Sequence, residues 1–293
     1  MALRNIRNVV MPKGVINPGQ VLCFTLLKMI NPYINLYWVA SDHTDELRKY
    51  DRDNTLFLYF PGWGDKFDPL NMPTRNSGCK YSEPGLLWQI YGKEIVEDYE
   101  IRKKIDSFLF VPIDNYDNNG SMCQIALIIK TFNIPNVTAN YSRSTGFMYA
   151  VEYMTTILSR IIEYEDYLDR EKREVEKAYL NAENDIVVLP YYVRWQTVLI
   201  PKEHALFVMY PSKKSGYSAR CIPKEFGSEE VKKEFPNDWY DNPESYGFSM
   251  VNKDKKLVMS GSKDVLLANL LSLLEENDNN DILCNDSGEI LED

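Results

Sequence analysis

The chain has 293 residues, 44% of them hydrophobic, so it can bury a sizeable core and is long enough for two domains of ordinary size. Its formal charge of -10 and pI of about 4.9 exclude a binder driven by phosphate neutralisation over its whole surface, and leave only a local basic groove open to nucleic acid. No apolar window approaches the roughly 18 residues that span a bilayer, and the start MALRNIRNVVMPKG lacks an apolar signal core, so a cytoplasmic protein without membrane contact is expected.

In chain order, QVLCFTLLKMI has helical spacing, INLYWVA and TLFLYF read as short buried strands, PGLLWQIYGKEIV as a helix and SFLFVPI as another strand. Strands alternating with helices predict a parallel sheet covered on both faces, over residues 1–145. After SFLFV comes VPIDNYDNNGS, which places Asp114 and Asp117 three residues apart in a turn-rich stretch. Asn, Asp and Gly favour turns for backbone reasons alone, so this is either a solvated turn or carboxylates aimed from a strand end at a metal or phosphate.

From Phe147 to about Ala182 there is no Pro or Gly, and Phe147, Val151, Met154, Leu158, Ile161 and Leu168 recur at three- and four-residue steps. This spacing predicts a long helix capped by Ser144 or Thr145, with residues 146–188 as a charged, solvated connector. Beyond Pro190, WQTVLI, ALFVMYP, YSARCIP and FSMVN read as strands, and SKDVLLANLLSLL as a helix capped by Ser262, giving an α+β domain over 189–275. The acidic remainder, 276–293, reads as a mobile tail.

The five cysteines, Cys23, Cys79, Cys123, Cys221 and Cys284, are scattered and odd in number, which fits free thiols better than a disulfide framework or zinc knuckle. The sequons at Asn136 and Asn140 carry no weight in a cytosolic protein.

The order and spacing of KYSEPGLLWQIYGKEI and of WQTVLI, ALFVMYPSKKSGYSARCIPKEFGS and FPNDW resemble the melanocyte proliferating gene product family, a branch of the DHH phosphoesterase superfamily of metal-dependent hydrolases and nucleases. The resemblance runs over about residues 8–272. It implies a DHH-type α/β domain with a smaller α+β domain, and in DNYDNNG it matches the family's D-x-x-D-N-G loop, which helps to hold Mg²⁺ or Mn²⁺.

The family's other motifs are altered. Where it has T-H-x-G-x-F-H-x-D-E, this chain reads MPKGVINPGQ: Gly14 persists, Pro12 and Asn17 stand at the histidine positions, and Gly19 and Gln20 at the acidic ones. Where the family has D-H-H, KFDPLN keeps Asp68 and offers Pro69 and Leu70; the aspartate ending the preceding strand falls near Tyr59, and a late histidine at Asn252. The two histidines present, His43 and His204, match no ligand position. Asp68 and Asp117 are the residual metal candidates, and two carboxylates do not make a two-metal centre. The expectation is therefore a pseudoenzyme with no catalytic residues and no cofactor, with Mn²⁺ or Mg²⁺ relevant only to residual activity.

Three functions remain. The first is an inhibitor or regulator acting on a protein partner, for which 20 tyrosines, five tryptophans and the acidity suit a basic, nucleic-acid-handling or phage-defence enzyme; the Asn, Lys, Ile and Tyr usage suits a phage or low-GC bacterium. The second is binding of a nucleotide or phosphorylated small molecule by Asn17, Gln20, Asp68, Asp114, Asp117, Arg143, Arg220 and Lys224, with Arg143 favoured because it lies among hydroxyls at a helix start. The third is a weak metal-dependent phosphodiesterase or exonuclease using Asp68, Asp114 and Asp117. A homo-oligomer is expected in each case.

Overall fold

The computed structural model describes residues 5–133, 142–212 and 216–285, with side chains as far as residue 275; the sequons at Asn136 and Asn140 lie outside the described residues. The chain divides into two compact units, Met1–Asp166 and Tyr167–Asp293.

The first unit is built on β1 (Asn8–Pro12), the helix α1 (Pro18–Ile30), β2 (Asn35–Val39) and β3 (Thr55–Phe57). The three strands are parallel in the order β2-β1-β3, with Val9 opposite Leu36 on one side and Leu56 on the other. The pleat sends alternate residues of β1 to opposite faces. Val9 and Met11 enter a large core with Val21, Leu22 and Leu26 of α1, while Val10 joins a smaller cluster with Val39, Leu47, Phe57 and Phe60. Helices thus cover one face, and a 3₁₀ turn at Thr44–Lys49 with its neighbouring aromatics covers the other.

The helices α2 (Glu83–Tyr91), α3 (Tyr99–Ile105), α4 (Val111–Asn119) and α5 (Gln124–Lys130) complete the large core together with Phe147, Val151, Met154 and Leu158 of α6 (Arg143–Leu180). Helix α3 continues into α4 through a π-helical segment, Asp106–Phe110. SFLFVPI is therefore helical rather than a strand, and Asp114 and Asp117 sit on consecutive turns of α4, not in a loop. Gly120, at φ 67°, ends that helix in the left-handed conformation that glycine adopts without strain. The cap of α6 is Ser142, whose Oγ accepts from the Thr145 amide at 3.1 Å, in place of Ser144 or Thr145.

The second unit contains β4 (Ile186–Val188), α7 (Gln196–Leu199), β5 (Phe207–Pro211), β6 (Tyr217–Cys221), α8 (Asn237–Asp241), β7 (Met250–Val251), β8 (Leu257–Ser260) and α9 (Lys263–Asn285). Its mixed sheet has the order β4-β5-β6-β8-β7, with β4 parallel to β5 and the remaining pairs antiparallel. Alternation along β5 separates Phe207 and Met209, packed with Leu266 and Leu270 of α9, from Val208 and Tyr210, packed with Val198 and Leu199 of α7. WQTVLI is thus a helical turn and not a strand. Ser262 caps α9, accepting from the Val265 amide at 3.4 Å, and that helix runs on to Asn285, into the segment expected to be a mobile tail.

Candidate functional site

Loops leaving the carboxyl ends of parallel strands are where open α/β sheets gather functional groups. After β1 the chain reaches Asn17, whose Oδ1 accepts from the Gly19 and Gln20 amides at 2.8 and 3.2 Å and so caps α1. Gln20 is buried and its Nε2 donates to the Pro12 carbonyl at 3.4 Å. After β3 the chain turns at Tyr59, a buried-core neighbour held at φ 62°, a left-handed conformation that a bulky side chain adopts only under strain. Its hydroxyl donates to Asp117 Oδ2 at 3.3 Å and its amide to Glu83 Oε1 at 3.1 Å. Gly19 lies beneath this contact: a methyl group there would collide with the Tyr59 hydroxyl and the Asp117 carboxylate.

Asp114 is fully buried. It accepts from Arg75 Nε at 2.5 Å, from the Ser82 hydroxyl at 2.6 Å and from the Ser82 amide at 2.9 Å. The same guanidinium grips Asp106 with both terminal nitrogens, at 2.6 and 3.0 Å, and lies 4.1 Å from the ring centre of Tyr81. Asp68 caps the short 3₁₀ turn Pro69–Asn71, accepting from the Leu70 and Gly62 amides at 3.0 and 2.8 Å.

Asp117 and Asp114 are thus joined to Tyr59, Glu83, Ser82 and Arg75, none of which the motifs had named as a ligand-binding residue, while Asn17 and Gln20 bond only the backbone around the start of α1. Asp68 is close enough to raise the proton affinity of Glu83. Arg143 starts α6 and lines a separate cavity with Lys13 and Trp38. Arg220 and Lys224 belong to the second unit, where Arg220 bonds Tyr210 and Lys224 Nζ pairs with Glu230 at 3.0 Å.

Electrostatically this is a proton-holding cluster. Burial, and then the neighbouring carboxylates, lift the Glu83 carboxyl to about 7. Burial lifts Asp117 to about 6 against the Tyr59 and Ser82 hydrogen bonds. Burial also pushes the Cys23 thiol and the Tyr59 phenol well up, so neither is a nucleophile at neutral pH. Because both carboxyls bind protons more tightly when folded, their contribution to stability falls as pH rises from about 4 to 7 and is level above that. The Glu83→Gln variant is expected to be more stable than the parent at pH 8, by up to about 3 kcal/mol, and equal to it near pH 4. Urea unfolding at the two pH values checks this; an equal effect at both would sink it.

The residues present do not fit a divalent-metal centre of the kind the family resemblance implies. Asp114 is committed to Arg75 and Ser82, Asp68 to two backbone amides and Asp117 to a phenol. Among the described residues, no group of three or more His, Cys, Asp and Glu side chains is arranged to hold a metal ion.

Compared with known proteins, the chain matches no curated protein. Among solved structures it aligns with one titled "pGpG-specific phosphodiesterase - PggH from Vibrio cholrae", at 10% identity and a TM-score of 0.33, over 94% of this chain and 99% of that one. Residues 65–243, more than half of the chain and including Asp68, Arg75, Glu83, Asp114 and Asp117, match the family MYG1_exonuc, described as Uncharacterised protein family (UPF0160). The chain belongs to that family.

Proposed function

We propose that this protein acts by binding rather than by hydrolysis, as an inhibitor or regulator of a protein partner. One observation carries the reading: the carboxylates left in the motif region are occupied by the chain's own donors, Arg75, Ser82, Tyr59 and backbone amides. Hydrolysis of a phosphodiester needs a first shell with free, converging ligands, whereas binding needs shape and a few polar contacts. The net charge of -10 favours a basic protein surface over a polyanion and predicts association that weakens with salt.

Two measurements test the reading together. Purified protein is expected to contain no stoichiometric Mn²⁺ or Mg²⁺ and to leave bis(p-nitrophenyl) phosphate and single-stranded DNA intact in added Mn²⁺. Turnover abolished by Asp117→Ala would overturn it and restore the phosphodiesterase alternative. Co-purification from the native host should recover a basic partner at low salt that is released as salt is raised.

A further inference from the structure

A cavity of about 230 Å³ lies within the first unit, apart from the carboxylate cluster. The loop following β1 forms one wall with Lys13 and Val15, β2 contributes Trp38, and the start of α6 contributes Arg143, Ser144 and Phe147. Its chemistry is opposite to that of the cluster. Phe147 is buried and meets Trp38 edge-to-face, with ring centres 4.8 Å apart, making a rigid aromatic wall. Val15 is 70% exposed at the mouth, an apolar side chain left in water.

Lys13 and Arg143 are exposed and stand over the same cavity, and among the described residues neither forms an ion pair. Two unpaired cations over an aromatic floor form a recognition pattern: the ring of a ligand gains contact and burial, and its acidic group gains two charge-assisted hydrogen bonds. The size limits the occupant to about one ring with one acidic substituent, and the flexible Lys13 next to the planar Arg143 suits either a carboxylate or a phosphate.

We propose that this cavity is a binding site for a small aromatic anion, with the ring against Trp38, which the buried Phe147 backs, and a phosphate or carboxylate held by Lys13 and Arg143. The site is independent of the partner reading above, since it uses none of the carboxylate cluster.

Calorimetric titration of the full chain with phenyl phosphate, benzoate and inorganic phosphate tests it. One or both aromatic anions should bind once per chain with a dissociation constant below about 1 mM. Inorganic phosphate, which lacks the ring, should bind at least about tenfold more weakly. Arg143→Gln and Lys13→Gln should each weaken the aromatic anion about tenfold, and both side chains are exposed, so the thermal midpoints should not move. The proposal is overturned if neither aromatic anion saturates the protein by about 10 mM, if the double variant binds as tightly as the parent, or if inorganic phosphate binds as well as phenyl phosphate.

Discussion

Arg75→Ala is expected to lower the free energy of unfolding by about 3–5 kcal/mol, because it strands the buried carboxylate of Asp114 and removes the fork that holds Asp106. A buried ion pair need not stabilise a fold relative to an apolar pair, but removing one partner leaves an unpaired charge in a poor solvent. Arg75→Lys should recover little, since an ammonium cannot donate to both aspartates in the guanidinium geometry or lie flat on Tyr81. The double variant Arg75→Met with Asp114→Leu should be less damaged than Arg75→Ala alone. Urea unfolding followed by circular dichroism reads all three; a loss under about 1 kcal/mol for Arg75→Ala would show that the clamp does not hold the unit together.

The second large effect is expected at Gly85, the third residue of α2. On helix propensity alone, Gly85→Ala should gain up to about 1 kcal/mol. A methyl group there, however, would overlap both oxygens of the Asp114 carboxylate and approach its Cγ to 2.6 Å, and that carboxylate is fixed by Arg75 and Ser82. Overpacking against a locked buried group costs about 1–3 kcal/mol or more, so the net change should be a loss of about 2 kcal/mol. Gly14→Ala, where nothing lies within 4 Å, is the control and should be nearly neutral. Equal melting temperatures for the two variants would refute the packing argument.

The periodic elements were legible in the sequence. Helices α1, α2 and the long α6 and strands β2, β3, β5 and β6 fall on the runs assigned to them, although β2, expected to be buried, is an edge strand with Asn35 and Tyr37 exposed. SFLFV was not legible in this way, because five residues rich in apolar side chains suit a buried strand as well as a helix. The deciding signal extended beyond that window: Ile101, Ile105, Leu109 and Ile113 recur every four residues and are all buried. Strand β1, the centre of the first sheet, is only five residues long and follows polar Asn5 and Arg7, so it gave no pattern of its own. WQTVLI misled for the same reason as SFLFV.

For the site, family motifs led to Asn17, Asp68, Asp114 and Asp117, but side-chain partners cannot be deduced from motif letters. Arg75 lies 39 residues from Asp114, and Tyr59 lies 58 residues from Asp117. They meet because α4 packs on α1 and α2 and so brings its aspartates to the segments that carry Tyr59 and Arg75.

The π-helical segment between α3 and α4 has a consequence for how the two aspartates are aimed. A π turn carries an extra residue relative to an α-helical one, and each helical residue rotates the next by about 100°. The wider π turn takes up that rotation within one full turn, so deleting Phe108, which is 46% exposed, would let the segment close to a plain α-helix while the residues after it keep their phase. Asp114 would still meet Arg75 and Asp117 would still meet Tyr59. The bulge is therefore a place where this helix can differ in length by one residue without re-aiming its carboxylates.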